Sequence, residues 1–151
     1  MFTIDLFISF LVLCMISCFF ILDAFIIAKQ TRERYAQFIL QKKIFDASEA
    51  LITTAGSPRD WVKPERIGLA EYSENSVKHH ILSEDKIKKM SELGLDFIKE
   101  NLLLEDYEVN IVIKKRNGIE LLNIGEKIKG TSVKRIALCG EEPCVLEITA
   151  K

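Results

Sequence analysis

The chain has 151 residues, of which 48% are hydrophobic and 28% charged, with a formal net charge of -1. This length suits one compact domain. Outside residues 29–43 the basic residues are mixed with acidic ones, so nothing indicates the basic surface that nucleic-acid binding needs. All 21 Lys and Arg residues lie at or after Lys29. The hydrophobic excess is therefore concentrated in one block at the start of the chain.

The first predicted element is a membrane-spanning helix. Residues 6–28 are almost all Leu, Ile, Val, Phe, Met, Cys or Ala, a run of more than 20. At ~1.5 Å per helical residue such a run crosses a hydrocarbon core of ~30 Å. It is longer than a signal-peptide core and shows no small-residue cleavage site, so we expect it to stay attached. Residues 1–28 are predicted to be a single-pass anchor in the cell membrane.

The same helix is predicted to continue outside the bilayer over residues 29–55, because no Gly or Pro precedes Gly56. Apolar residues at helical spacings indicate one buried face, which fits packing against the chain's own globular domain better than a partner-binding stripe. These residues are Tyr35, Phe38, Ile39, Phe45, Leu51 and Ile52. The globular domain itself is predicted to span residues 56–151.

The segment 56–82 shows little periodicity and is predicted to be a loop. Trp61 is interpreted as the residue that packs this loop onto the core, with Gly68 in the same packed segment. Ser83 is typical of a helix N-cap and two acidic residues follow it, which predicts a second helix over residues 83–103.

The last third of the chain alternates apolar and polar residues with period two, which indicates strands. Strands are predicted at 107–115, 119–124, 133–139 and 144–149. The dipeptide Asn117-Gly118 is a strong hairpin signal between the first two. The expected fold class is α+β, with a long N-terminal helix, a second helix and a four-stranded antiparallel meander within 107–149.

Cys139 and Cys144 lie at the facing ends of the last predicted hairpin, where a disulfide is geometrically feasible. Such a bond favours a domain outside the cytoplasm. Two reduced thiols in a cytosolic hairpin are the alternative. A zinc site would need a second Cys or His pair, and none with suitable spacing follows, so no metal or other cofactor is expected.

Asp5 and Asp23 are the two acidic residues before Lys29. A carboxylate within a bilayer costs a few kcal/mol, so each is a candidate contact for a partner unless it reaches the headgroups. Elsewhere the sequence has no glycine-rich phosphate loop, nucleophile elbow or metal-binding spacing. We therefore expect a non-enzymatic protein with no small-molecule substrate and no nucleic-acid partner.

The N-terminal sequence Phe2-Thr3-Ile4-Asp5-Leu6, followed by an unbroken apolar helix, resembles the start of a mature type IV pilin. Residues 55–61 and 67–70 are similar to a stretch found in archaeal pilin-like membrane proteins. The resemblance implies a pilin-like fold, in which one long helix joins an antiparallel sheet. It also implies that Phe2 and Asp5 serve assembly, with Asp5 neutralising the terminal amine of a neighbouring subunit. Asp23 departs from the smooth apolar core of pilins.

The orientation in the membrane is where the signals conflict. Residues 29–43 contain five basic residues and one acidic residue, and the positive-inside rule would hold that flank in the cytoplasm. The disulfide and the resemblance place the globular domain on the other side, and we expect it to be extracytoplasmic. The expected function is a pilin-like surface or minor pilin subunit that meets other such subunits through its N-terminal helix. The alternative is a monomeric membrane-tethered binding module.

Overall fold

A computed structural model describes residues 2–58, 61, 64–73 and 76–151. The fold is α+β, with a long apolar N-terminal helix and a β-sheet. The chain forms two compact units, the first ending at Phe38 and the second comprising Ile39–Lys151. We call the second unit the head.

The elements follow one another as helix, two strands, two helices and four strands. The helices are α1 (Phe2–Thr53), α2 (Glu84–Glu92) and α3 (Leu95–Asn101). The strands are β1 (Ala70–Ser73), β2 (Ser76–Leu82), β3 (Val109–Lys115), β4 (Glu120–Ile124), β5 (Thr131–Cys139) and β6 (Glu142–Ala150).

The sheet has six strands in the order β1-β2-β5-β6-β3-β4, so the predicted four-stranded meander is wrong. Strand β6 lies between β5 and β3 and pairs antiparallel with both, whereas β2 and β5 pair in parallel. The reason is burial: Val109–Ile113 of β3 is buried at every position, and a strand buried on both faces is a central strand with two neighbours. A meander would have put β5 beside β4.

Two further expectations about the chain need correction. The segment 56–82 is not a loop throughout, because β1 and β2 occupy its second half. Strand β2 is largely exposed and therefore lacks the apolar alternation by which the other strands were predicted. The helix expected over 83–103 is two helices, since Leu93 and Gly94 have extended backbones (ψ 143° and 142°) that end α2 and precede α3.

The core lies between the sheet and the C-terminal part of α1. Leu40, Ile44, Ala47 and Leu51 are buried and follow one another at four, three and four residues, one face of the helix. The predicted stripe overlaps this face only in part, because Phe45 is 47% exposed. Small residues, Ala47 and the buried Ser48, occupy core positions there, so the largest apolar side chains were a misleading guide to the buried face.

Candidate functional site

The N-terminal part of α1 is a candidate site because its apolar side chains face outward. The large hydrophobic side chains that the structure describes between Ile4 and Ile27 are between 47% and 72% exposed. Within the part of the chain that the structure describes, one helix is long and apolar enough to cross a bilayer, namely Leu6–Thr53. An apolar surface of this extent needs lipid or other helices around it.

Two hydroxyl groups of this segment donate hydrogen bonds within the helix, which is what a hydrocarbon environment favours. The Ser17 hydroxyl donates to the Leu13 carbonyl at 2.9 Å, and the Thr31 hydroxyl donates to the Ile27 carbonyl at 2.8 Å. Asp23 is exposed on the helix surface, and Cys14 and Cys18 are exposed free thiols. The side chains of Phe2 and Asp5, the predicted assembly residues, lie outside the described part of the structure.

Within the head, the end of α1 is held by a buried lysine that sequence reasoning missed. The Lys86 ammonium of α2 donates to the Ala55 carbonyl at 2.7 Å and to the Ala70 carbonyl at 2.9 Å. The side chain is buried, and its burial lowers the pKa of Lys86 below the ordinary 10.5. Its place beside Ile87 on the buried face of α2 was the sequence signal that could have revealed it.

Trp61 binds the same carbonyl. It is 3% exposed, and its indole N–H donates to the Ala55 carbonyl at 3.1 Å. Gly68 packs so closely on the helix end that a Cβ there would overlap the Thr54 carbonyl. Gly56, with φ +76°, adopts the left-handed conformation that commonly ends a helix. These contacts fix the segment after α1 against the helix end.

A second unexpected charge, Arg135 of β5, joins the sheet to α1. Its Nε donates to the Ser48 hydroxyl at 3.2 Å, and one terminal nitrogen lies 3.1 Å from a carboxylate oxygen of Glu49. The guanidinium carbon sits 4.0 Å from the centre of the Phe45 ring, within cation–π range. Phe45 is partly exposed, but its ring still contacts the head through Arg135, which lies on the buried face of β5.

The structure joins Cys139 and Cys144 by a disulfide across the β5–β6 hairpin. Both cysteines are 1% exposed. Lys115 stands beside this hairpin, 2.9 Å from a Glu142 carboxylate oxygen and 3.8 Å from one of Glu84. The hydrogen bond to Glu142 raises the pKa of Lys115. The disulfide thus closes the hairpin covalently, and Lys115 of β3 links Glu142 of the hairpin to Glu84 of α2 by charge.

Removing the disulfide is expected to lower the free energy of unfolding of the head by about 2 kcal/mol, the entropy of closing a short loop. The loop is small, since the two cysteines are five residues apart. The variant is C139A/C144A, and the measurement is the urea midpoint of the full chain in detergent, followed by the fluorescence of its single tryptophan. An unchanged midpoint would contradict the structural role of the bond.

The head also carries an open cleft of about 820 Å³ beside the end of α1. Its apolar lining comes from α1, the segment between α1 and β1, β2 and α3, and its charged lining includes Glu65, Arg66 and Glu100. The cleft therefore offers apolar side chains together with charges of both signs, which suits binding of a mixed polar and apolar group.

The described residues contain no group of three or more His, Cys, Asp or Glu side chains arranged to hold a metal ion. The structure thus presents two surfaces with functional potential, the apolar helix before Phe38 and the cleft of the head. Comparisons with known proteins add no family to this picture: no family model, no curated protein and no solved structure matches the chain.

Proposed function

We propose that this chain is a pilin-like, non-enzymatic structural subunit, anchored in the cell membrane by α1 and assembled with other such subunits through that helix. The observation that carries the proposal is the change of role along α1. Before Phe38 its apolar side chains are exposed, and from Leu40 onward the helix supplies a buried face to the head. A subunit that joins a membrane-embedded stem to a folded head needs this division.

The length of the apolar segment supports anchoring, and its surface supports assembly. An apolar helix needs only lipid to be stable in a bilayer, where association depends on packing and polar contacts rather than on the hydrophobic effect. Asp5 and Asp23 are the acidic residues of this segment, and an acid at that depth is favoured when a neighbouring chain supplies its partner. The resemblance to pilins assigns this role to Asp5.

An extracytoplasmic head is part of the proposal. Its support is the Cys139–Cys144 disulfide, because such bonds form and persist in oxidising compartments. The basic residues at 29–43 are then read as contacts to lipid headgroups rather than as a cytoplasmic retention signal.

Asp5→Ala is expected to reduce the recovery of the full chain in complexes larger than a dimer, because it removes the acid that meets a neighbouring subunit. The measurement is sedimentation of membranes solubilised in mild detergent. Asp5→Glu is the matched control and should retain the complexes, since it keeps the carboxylate. Unchanged complexes in Asp5→Ala would count against assembly through this end of the helix.

The cleft of about 820 Å³ favours a second candidate, a monomeric membrane-tethered binding module. In that case the helix only anchors the head, and no complexes of several copies form in the membrane. The Asp5 variants would then sediment like the wild type, as single copies. The same sedimentation experiment therefore separates the two functions.

A further inference from the structure

Over β5 and β6 the sheet has an outer face that the described part of the chain leaves largely exposed. Along β5 the odd-numbered residues face α1, as the contacts of Arg135 with α1 show, so the even-numbered residues face outward. Ile136 is 78% exposed and Leu138 39% exposed on this side. We define the outer patch as Ile81, Ile136, Leu138, Pro143 and Val145. Adjacent exposed apolar residues of this kind mark interaction surfaces.

The register of β5 with β6 arranges this face in cross-strand pairs. Ile136 lies opposite Val145, and Leu138 lies opposite Pro143. One step further along, Lys134 lies opposite Glu147, and the charged atoms are 3.3 Å apart. The face therefore passes from apolar pairs near the hairpin turn to a pair of opposite charges.

This arrangement is complementary to itself. Consider a two-fold axis that is parallel to the strands and lies midway between two facing sheets, above the gap between β5 and β6. This axis would place Ile136 of one copy on Val145 of the other. The same axis would lay Lys134 of each copy on Glu147 of the other, so that each charge meets its opposite. An isologous interface needs this property, and the Lys134–Glu147 pair, which carries no net charge, fits another copy better than an anionic lipid surface.

We infer that the outer patch pairs two heads of this chain face to face, about the two-fold axis between β5 and β6. Facing sheets pack about 10 Å apart, which brings these apolar side chains into contact. Five patch residues make a small interface, but anchoring both copies in one membrane raises their effective concentration. The inference rests on the proposed function, because it requires that copies anchored in one membrane lie side by side.

The test cross-links two differently tagged full-length copies in the same membrane. One copy carries Ile136→Cys and the other Val145→Cys, both in a C14S/C18S background, with a short bis-maleimide as the probe. The expected result is a dimer that contains both tags. The control pairs Val145→Cys with Lys88→Cys, an exposed position on α2, and should give little product. Absence of the mixed dimer, or equal product in the control, overturns the inference.

A charge exchange tests the two-fold arrangement itself. Lys134→Glu in both copies, or Glu147→Lys in both, places like charges opposite each other and should lower cross-linking about tenfold. Combining one copy of each variant restores both attractive contacts, so cross-linking should return. If the mixture gives no more cross-linked dimer than either variant alone, the result contradicts this geometry.

These outcomes are separate from those of the assembly test. If Asp5→Ala leaves large complexes unchanged while the heads cross-link, the pairing of heads stands and assembly through the helix fails. If the complexes respond to Asp5→Ala and the heads do not cross-link, the failure belongs to this inference alone.

Discussion

Replacing Trp61 by alanine is expected to lower the free energy of unfolding of the head by about 3–5 kcal/mol, the usual cost of removing a buried aromatic ring. Trp61 is 3% exposed and lies on the end of α1, where its indole N–H reaches the Ala55 carbonyl. The loss of both the ring and the hydrogen bond frees the segment that leads from the helix to the sheet. The measurement is the urea midpoint followed by circular dichroism, since the variant has no tryptophan.

Trp61→Phe is the matched control for this effect. It keeps an aromatic ring in the site and loses the indole donor, so it should cost about 1 kcal/mol for the missing hydrogen bond, together with a smaller loss of packing. The Ala55 carbonyl keeps its bond from Lys86 in both variants. If Trp61→Ala lowered the free energy of unfolding no more than Trp61→Phe does, Trp61 would not be the residue that packs this segment onto the core.

Lys86→Met is expected to cost about 3 kcal/mol. Hydrogen bonds from a charged donor contribute about 1.5–3 kcal/mol each, and Lys86 makes two, less the cost of burying its charge. Methionine fills a similar volume but leaves the Ala70 carbonyl without this donor. Lys88→Met, on the exposed side of α2, is the control and should change stability by less than about 0.5 kcal/mol.

The contribution of Lys86 should also depend on pH, with a defined sign. Its pKa in the folded head lies below the ordinary 10.5, so in the window between the two values the unfolded chain binds more protons. The free energy of unfolding therefore rises with pH across that window. The difference between wild type and Lys86→Met should be larger just below pH 10.5 than at neutral pH. A difference that shrinks with pH would contradict the lowered pKa.

Local patterns in the sequence predicted several elements of the fold. Strands β5 and β6 alternate in burial, and β3 and β4 flank the predicted hairpin turn. Gly118 in that turn has the expected left-handed conformation, with φ 87°. The sheet order could not be predicted in the same way, because the pairing of β6 with β3 joins distant segments. Such pairing depends on which strand is buried on both faces, which a single sequence shows poorly.

For the candidate site, too, local patterns were predictable and contacts between distant elements were not. The composition predicted the apolar helix, and the position of two cysteines across one hairpin predicted the disulfide. Lys86 and Arg135 were missed because charged residues are rarely buried unless paired, and their partners come from other elements. The outer patch was not predicted, because recognising it requires knowing that α1 covers the opposite face of the sheet.

The most direct test of the account is a cysteine cross-linking scan of the apolar part of α1. Single cysteines are placed at each position from Leu11 to Cys18 in a C14S/C18S chain, and the full-length protein is oxidised in its membrane. Assembly through α1 predicts disulfide-linked dimers that recur every three or four positions, since one face of each helix meets the next. The result that would contradict the account is a scan with no dimers at any position, as expected of a helix that serves only as an anchor.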